Sequence, residues 1–266
     1  MADSDPLGTP FDIERADVLG DVPHGFFGSG GGVHQFGYGG PGEAEAIRSL
    51  RSAAASKILC GAPLAAPHQV HSPEVVTVGK KWPDAARDRP VADAVVTDRT
   101  DIVLGIVTAD CGPILLADGE AGVVAAAHAG WRGAHCQERG GVIENTIVAM
   151  EALGATRKNI AAALGPTIAQ ASYEVDGAFR EHFTEADDGH FAAAPIRDGV
   201  ARWHFDLPGY ILEKLRQSGL TKIAALNRDT YSNAGRYHSY RRACQRGEPD
   251  YGRQLSAIAV PKLSCN

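Results

Sequence analysis

Four short apolar runs crowd the middle of the chain and constrain its architecture more than any other feature. They are 102–108 (IVLGIVT), 114–117 (ILLA), 123–127 (VVAAA) and 160–164 (IAAAL). Each is short and reads as a β-strand. The 123–127 run is small-sided, which favours close packing against its neighbours. Weaker runs at 75–78, 94–96, 222–226 and 254–260 extend the strand count. Residues 43–55 read as a helix by propensity. A second helix spans 137–153, with Ile143, Ile147 and Met150 on one face and Gly154 as its stop. Asp206 and Pro208 open a third, running to 217. Strands that often follow one another, with helices between, predict an α+β fold: a mixed β-sheet with flanking helices. A chain of 266 residues can bury a core without staples. We read 1–20 as a polar N-terminal lead-in and 21–266 as a single domain. Residues 184–200 read as polar and irregular. The glycine-saturated segment 25–42 reads as a loop, with Gly28–Gly32 as a flap over a site.

Charge and cysteine usage narrow the function classes. The formal net charge is −6, which lacks the basic field of a duplex binder. No apolar run approaches the roughly 20 residues that cross a bilayer, and the acidic N-terminus has no secretory pattern. A cytoplasmic protein with no membrane and no nucleic-acid partner is expected. Cys60, Cys111, Cys136, Cys244 and Cys265 are odd in number and widely spaced, so free thiols or a metal ligand fit better than a disulfide framework. The Tyr- and Arg-rich stretch 231–242 reads as a packed loop.

Three segments carry chemistry: HQVHS with His71, TADCGP with Cys111, and AHAGWRG with His128. Cys111 and His128 each follow an apolar run, and His71 precedes one, so a shared sheet edge could gather them. Two imidazoles and a thiolate form a set that suits Zn²⁺ with a fourth position open. With two methionines and no His-x-His pair, copper is the less favoured metal. The wide separations obey no helix or knuckle rule, so on spacing alone a buried thiol beside two ordinary histidines reads the pattern better than a metal site does. Around these residues, Arg132 reads either as a phosphate-holding cation or as an arginine stacked on Trp131. Arg241 and Arg242 read as phosphate ligands or, for one of them, a fold-locking partner. Gln69 is a candidate substrate hydrogen-bonder, and Asp110 reads as a turn or supporting residue. His68 reads as a supporting or surface histidine, and His135 with Cys136 as the start of the helix.

The segments QVH, TADCGPILLAD, AAAHAGWRG, LGPTI, YEV and HSYRR, in this order, resemble the YfiH family. It is also called the laccase-domain or multicopper polyphenol oxidase family and includes peptidoglycan editing factors. The resemblance covers roughly residues 23–260. It implies that His71, Cys111 and His128 bind zinc and that Cys111 and His128 are catalytic. It further implies an enzyme of purine nucleosides. Members phosphorolyse adenosine, inosine, guanosine and methylthioadenosine, with phosphate as co-substrate, and deaminate adenosine. The family's Arg-x-Gly-Gly-Val-Ser stretch is replaced here by Ser29-Gly30-Gly31-Gly32-Val33-His34. Its Ser-Leu-Asn and Asn-Arg elements are not evident, and Asn227-Arg228-Asp229-Thr230 stands where a late cysteine is expected. Two rival readings remain from the residues: a cysteine hydrolase or amidase using Cys111 and His128, for example on peptidoglycan precursors, and a non-enzymatic metal-binding regulator.

Overall fold

The computed structural model describes residues 5–6, 8–135, 140–197 and 199–261. The chain opens with β1 (Ile13–Glu14), β2 (His24–Phe27), α1 (Ala44–Ile58), β3 (Leu64–Ala65) and β4 (Val75–Thr77). The central block is β5 (Ala94–Thr97), β6 (Val103–Thr108), β7 (Gly112–Asp118), β8 (Val123–Ala129), α2 (Trp131–Ala134), α3 (Val142–Ala152) and β9 (Ala161–Leu164). Then come β10 (Glu174–Val175), α4 (Gly177–Arg180), β11 (Phe191–Arg197), β12 (Val200–Phe205), α5 (Leu207–Gln217), β13 (Lys222–Ala225), α6 (Tyr240–Arg246) and β14 (Gln254–Ala259).

Two mixed sheets stack face to face. One is five-stranded in the order β1-β2-β14-β6-β3, the other six-stranded in the order β13-β9-β7-β8-β5-β4. Leu104, Ile106 and Ile258 from the first meet Leu115, Val124, Ala126 and Ala163 from the second in one buried cluster. The outer face of the five-stranded sheet is covered by α1, through Leu50, Ala54 and Ile58 against Val103, Leu255 and Ala257. The outer face of the six-stranded sheet is covered by α3 and α5. Ile143, Ile147 and Met150 are buried there as their spacing requires, beside Tyr210, Ile211 and Leu215. The result is a four-layer α–β–β–α sandwich of α+β class. Alanines dominate β8 and β9 because both of their faces are covered, and small side chains let both layers close.

Three expectations change. Residues 184–197 and 199–200 are not irregular: Thr184 donates its backbone N–H and its hydroxyl to the Asp187 carboxylate, a 3₁₀ turn spans Glu185–His190, and β11 pairs antiparallel with β12. The hairpin was hidden because its outer face is solvated, with Ile196 71% exposed, while Phe191, Trp203 and Phe205 face inward. The second helix begins at Val142; residues 137–139 lie outside the described residues. Finally, β6 and β8 are not neighbours in one sheet. The chain leaves β6, turns at 109–111, and enters the other sheet as β7, which pairs directly with β8. Among the described residues no helix is long and apolar enough to cross a membrane.

Candidate metal centre and its flanking cavities

That sheet switch is what brings the ligands together. Gly112 pairs with Ala129 and Pro113 with His128, so Cys111, at the start of β7, lies beside the end of β8. β5 runs antiparallel to β8 and parallel to β4, which sets the N-terminal ends of β4 and β5 at the same edge. His71 leads into β4, and Asp93 stands immediately before β5.

The donor atoms of His71, Cys111 and His128 all lie within 4.8 Å of one another. Cys111 Sγ is 3.7 Å from His71 Nε2. A tetrahedral zinc with ordinary bond lengths separates sulfur and nitrogen ligands by about 3.6 Å, so the set fits one such ion. His128 Nδ1 faces Asp93 Oδ1 at 2.7 Å. A carboxylate can only accept, so Nδ1 carries the proton and Nε2 is left as the donor toward a metal. Burial alone would raise the Cys111 thiol, but the neighbouring His128 and His71 outweigh it and hold its pKa below the ordinary value. His128 moves the other way: burial opposes its charge, yet Cys111 and Asp93 raise it. A site biased toward thiolate is prepared for a soft divalent cation.

Asp93 organises both halves of the site. It accepts the backbone N–H groups of Val70 (3.1 Å), His71 (2.9 Å) and Ser72 (2.6 Å), and the Ser72 hydroxyl (2.8 Å). Burial pushes its pKa up, but the His128 and Ser72 hydrogen bonds prevail and hold it at about 2. These bonds keep His71 at a positive φ of 63°, a conformation that needs such support in a non-glycine residue. Asp110, with φ 80°, plays the matching part before Cys111. Its carboxylate accepts from Thr230, Ser239 and the Arg241 backbone, and its carbonyl from Thr167 and Ile168. Burial raises its pKa. Nothing in a single sequence marked Asp93, a lone acid before an apolar run.

Two cavities flank the centre and share His71, Ala109 and Cys111 in their walls. One, of about 170 Å³, is lined by Trp131, Ile168, Tyr173 and Leu207 together with Arg132 and Arg241. The other, of about 180 Å³, is lined by Gly37, Tyr38, Gly39, Arg89, Tyr251 and Arg253. Arg132 stacks on Trp131 at 4.8 Å while still facing the first cavity. Arg241 lies 5.1 Å over the Tyr173 ring and donates to the Glu174 carbonyl. Arg242 is the fold-locking arginine: it donates to the carbonyls of Thr230, Tyr231 and Tyr237. The amide of Gln69 pairs with Val107 in both directions, so it ties the His71 segment to β6. His68 lines the second cavity, and His135 approaches the Tyr210 hydroxyl at 3.3 Å. Cys136 lies outside the described residues. The Gly28–Gly32 run is not a flap over the centre. It forms a tight turn in which Ser29 Oγ accepts the Gly32 N–H, and the glycines that reach the site are Gly37 and Gly39.

Comparison with known proteins places the chain in a family. The family model described as multi-copper polyphenol oxidoreductase laccase matches residues 33–261. The chain is 34% identical over 250 residues to a purine nucleoside phosphorylase of Deinococcus radiodurans, covering 91% of this chain and 90% of that one. It is 39% identical over 152 residues to adenosine deaminase RL5 of an unknown prokaryotic organism, covering 54% and 55% of the two chains. The crystal structure of Neisseria meningitidis NMB0706 superposes with a TM-score of 0.77 at 28% identity, covering 95% of this chain and 99% of that chain. Bacillus licheniformis YfiH shares the fold, with a TM-score of 0.78 at 21% identity over 95% and 99% of the two chains.

Proposed function

We propose that this chain, which belongs to the multi-copper polyphenol oxidoreductase laccase family, is a zinc-dependent cytoplasmic enzyme that phosphorolyses purine nucleosides and deaminates adenosine. The observation that carries the reading is the donor set His71, Cys111 and His128, held within 4.8 Å of one another, with His71 and Cys111 in the shared wall of two cavities and His128 lining one of them. Relatives named purine nucleoside phosphorylase and adenosine deaminase support the substrate class. The thiolate favours zinc over hard cations, and three protein ligands leave a position for substrate. Bound there, zinc supplies Lewis-acid polarisation.

The chain's own residues do the rest. Asp93 fixes the His128 tautomer and orients both imidazoles. Tyr173, Trp131 and Ile168 form an apolar wall against which a purine ring can lie and from which water is displaced. Tyr173 stays protonated, because burial and the nearby Cys111 raise its phenol, so its hydroxyl remains a donor. Arg132 and Arg241 bring positive charge to the same cavity.

Incubation of the zinc-loaded protein with adenosine, inosine, guanosine and methylthioadenosine, with and without phosphate, tests this. Chromatography should show free base and ribose 1-phosphate only with phosphate, and inosine from adenosine without it. No turnover of any of these nucleosides by folded, zinc-loaded protein would overturn the proposal.

A further inference from the structure

We propose that the cavity walled by Gly37, Gly39, Arg89 and Arg253 is the phosphate subsite, separate from the aromatic cavity and adjoining it at His71, Ala109 and Cys111. This rests on the phosphorolysis reading above and assigns its second substrate to residues that the sequence did not single out. Arg132, expected from the sequence to hold phosphate, lines the aromatic cavity instead.

The reaction dictates two sides. A phosphate oxygen forms its bond to ribose C1′ as the C1′–N9 bond breaks, and that electron pair leaves with the purine. The proton lost by dihydrogen phosphate balances the proton gained by the purine. An in-line displacement needs attacking and leaving groups on opposite faces of the sugar. Two cavities whose walls share only His71, Ala109 and Cys111 give the two substrates separate approaches to one centre. The aromatic one suits the base. The other carries the unspent charge.

Among the described residues its two arginines make no ion pair. Arg89 Nε is buried with no hydrogen-bond partner, and its Nη1 donates only to the Pro67 carbonyl. Asp84, whose charge acts on Arg89, is already taken by a two-pronged ion pair with Arg51, at 2.7 Å to each oxygen. Arg253 makes only a long 3.5 Å contact to the Tyr251 carbonyl among the described residues. Each guanidinium is braced on a ring, Arg89 at 5.0 Å over Tyr38 and Arg253 at 4.2 Å over Tyr251. The glycines make room for this. A Cβ on Gly37 would sit 2.6 Å from Arg253 Cδ, so only a bare backbone lets Arg253 reach the cavity. Two fixed guanidinium groups without carboxylates match the tetrahedral oxygens of phosphate.

The test measures inorganic phosphate binding by ³¹P line broadening, and phosphorolysis kinetics, in wild-type, Arg89→Gln, Arg253→Gln and Arg253→Lys proteins, with folding checked by thermal melts. Each Gln variant should raise the KM for phosphate at least tenfold, with the nucleoside KM changed less than twofold. The ratio of phosphorolysis to deamination should fall at least tenfold, and Arg253→Lys should be intermediate. An unchanged phosphate KM in folded variants overturns the subsite while leaving the proposed activity standing. Phosphate binding that is lost in the variants, in a protein without nucleoside turnover, keeps the subsite and overturns the activity. Should Arg89→Gln not fold, Arg253→Gln decides alone. If adenosine monophosphate displaces inorganic phosphate and binds over tenfold tighter than phosphate and adenosine added together, the cavity reads a nucleotide's phosphate, and the co-substrate role fails.

Discussion

Asp93 Oδ1 accepts the Nδ1 proton of His128 at 2.7 Å, and the same oxygen accepts the backbone N–H of His71 at 2.9 Å. One buried carboxylate therefore sets the ring of one ligand and the backbone of another. Asp93→Asn keeps an acceptor but removes the charge that stabilises His128. It should weaken zinc binding by about 10–100-fold, the range for removing such a supporting carboxylate, as read by competition with a chromophoric chelator. Asp93→Ala also leaves three partly buried N–H groups without their acceptor and should lower stability by about 1–3 kcal/mol, measurable by urea melts.

Gly130 lies against the ligands. A Cβ there would meet Cys111 Sγ at 2.9 Å and His71 Cδ2 at 3.0 Å. Gly130→Ala should force the thiol and imidazole to shift by a few tenths of an ångström. Zinc affinity should fall at least tenfold, while the metal-free melting temperature stays close to that of the wild type. Unchanged affinity would show that the ligands have slack the structure does not suggest.

Removal of the metal should cost stability in a concentration-dependent way. A ligand that binds only the folded state stabilises it by about 2.7 kcal/mol at 100 times its Kd. Melting temperature should rise steadily with free zinc in the wild type and stay flat in Cys111→Ala. A Cys111→Ala protein that responds as the wild type does would place the metal elsewhere.

How much of this was legible in the sequence depended on whether burial or pairing carried the signal. The strands β6, β7, β8 and β9 announce themselves because both faces are covered and their runs are purely apolar. The hairpin β11–β12 does not, because only Phe191, Trp203 and Phe205 report its buried side. His71, Cys111 and His128 do lie together, as the sequence reading expects, but by a different route. The expected shared edge of the strands before Cys111 and His128 does not exist, and it is β7 that delivers the thiol. Asp93 and Arg89 act through contacts 21 or more residues distant in sequence, such as the 35-residue separation of Asp93 from His128 and the 22-residue one of Arg89 from Pro67, and no local pattern marks such pairings.

Asp229 gives a pH-dependent check on the wall of the aromatic cavity. It accepts the Ala169 and Tyr231 backbone N–H groups and the Ser172 hydroxyl. Burial would raise its pKa, but these bonds prevail and lower it. A depressed carboxylate stabilises the fold above its unfolded pKa of about 3.9, and that contribution is lost as pH falls through the lower folded value. Asp229→Asn should therefore melt below the wild type at neutral pH, with the gap closing below about pH 4. A gap that widens on acidification would contradict the assignment.

Metal content bears most directly on the central claim that His71, Cys111 and His128 together hold one zinc ion. Elemental analysis of protein purified without added metal should find about one zinc per chain in the wild type and almost none in folded Cys111→Ala. Full zinc occupancy in Cys111→Ala, or nucleoside turnover by a wild-type protein stripped of all metal, would contradict it.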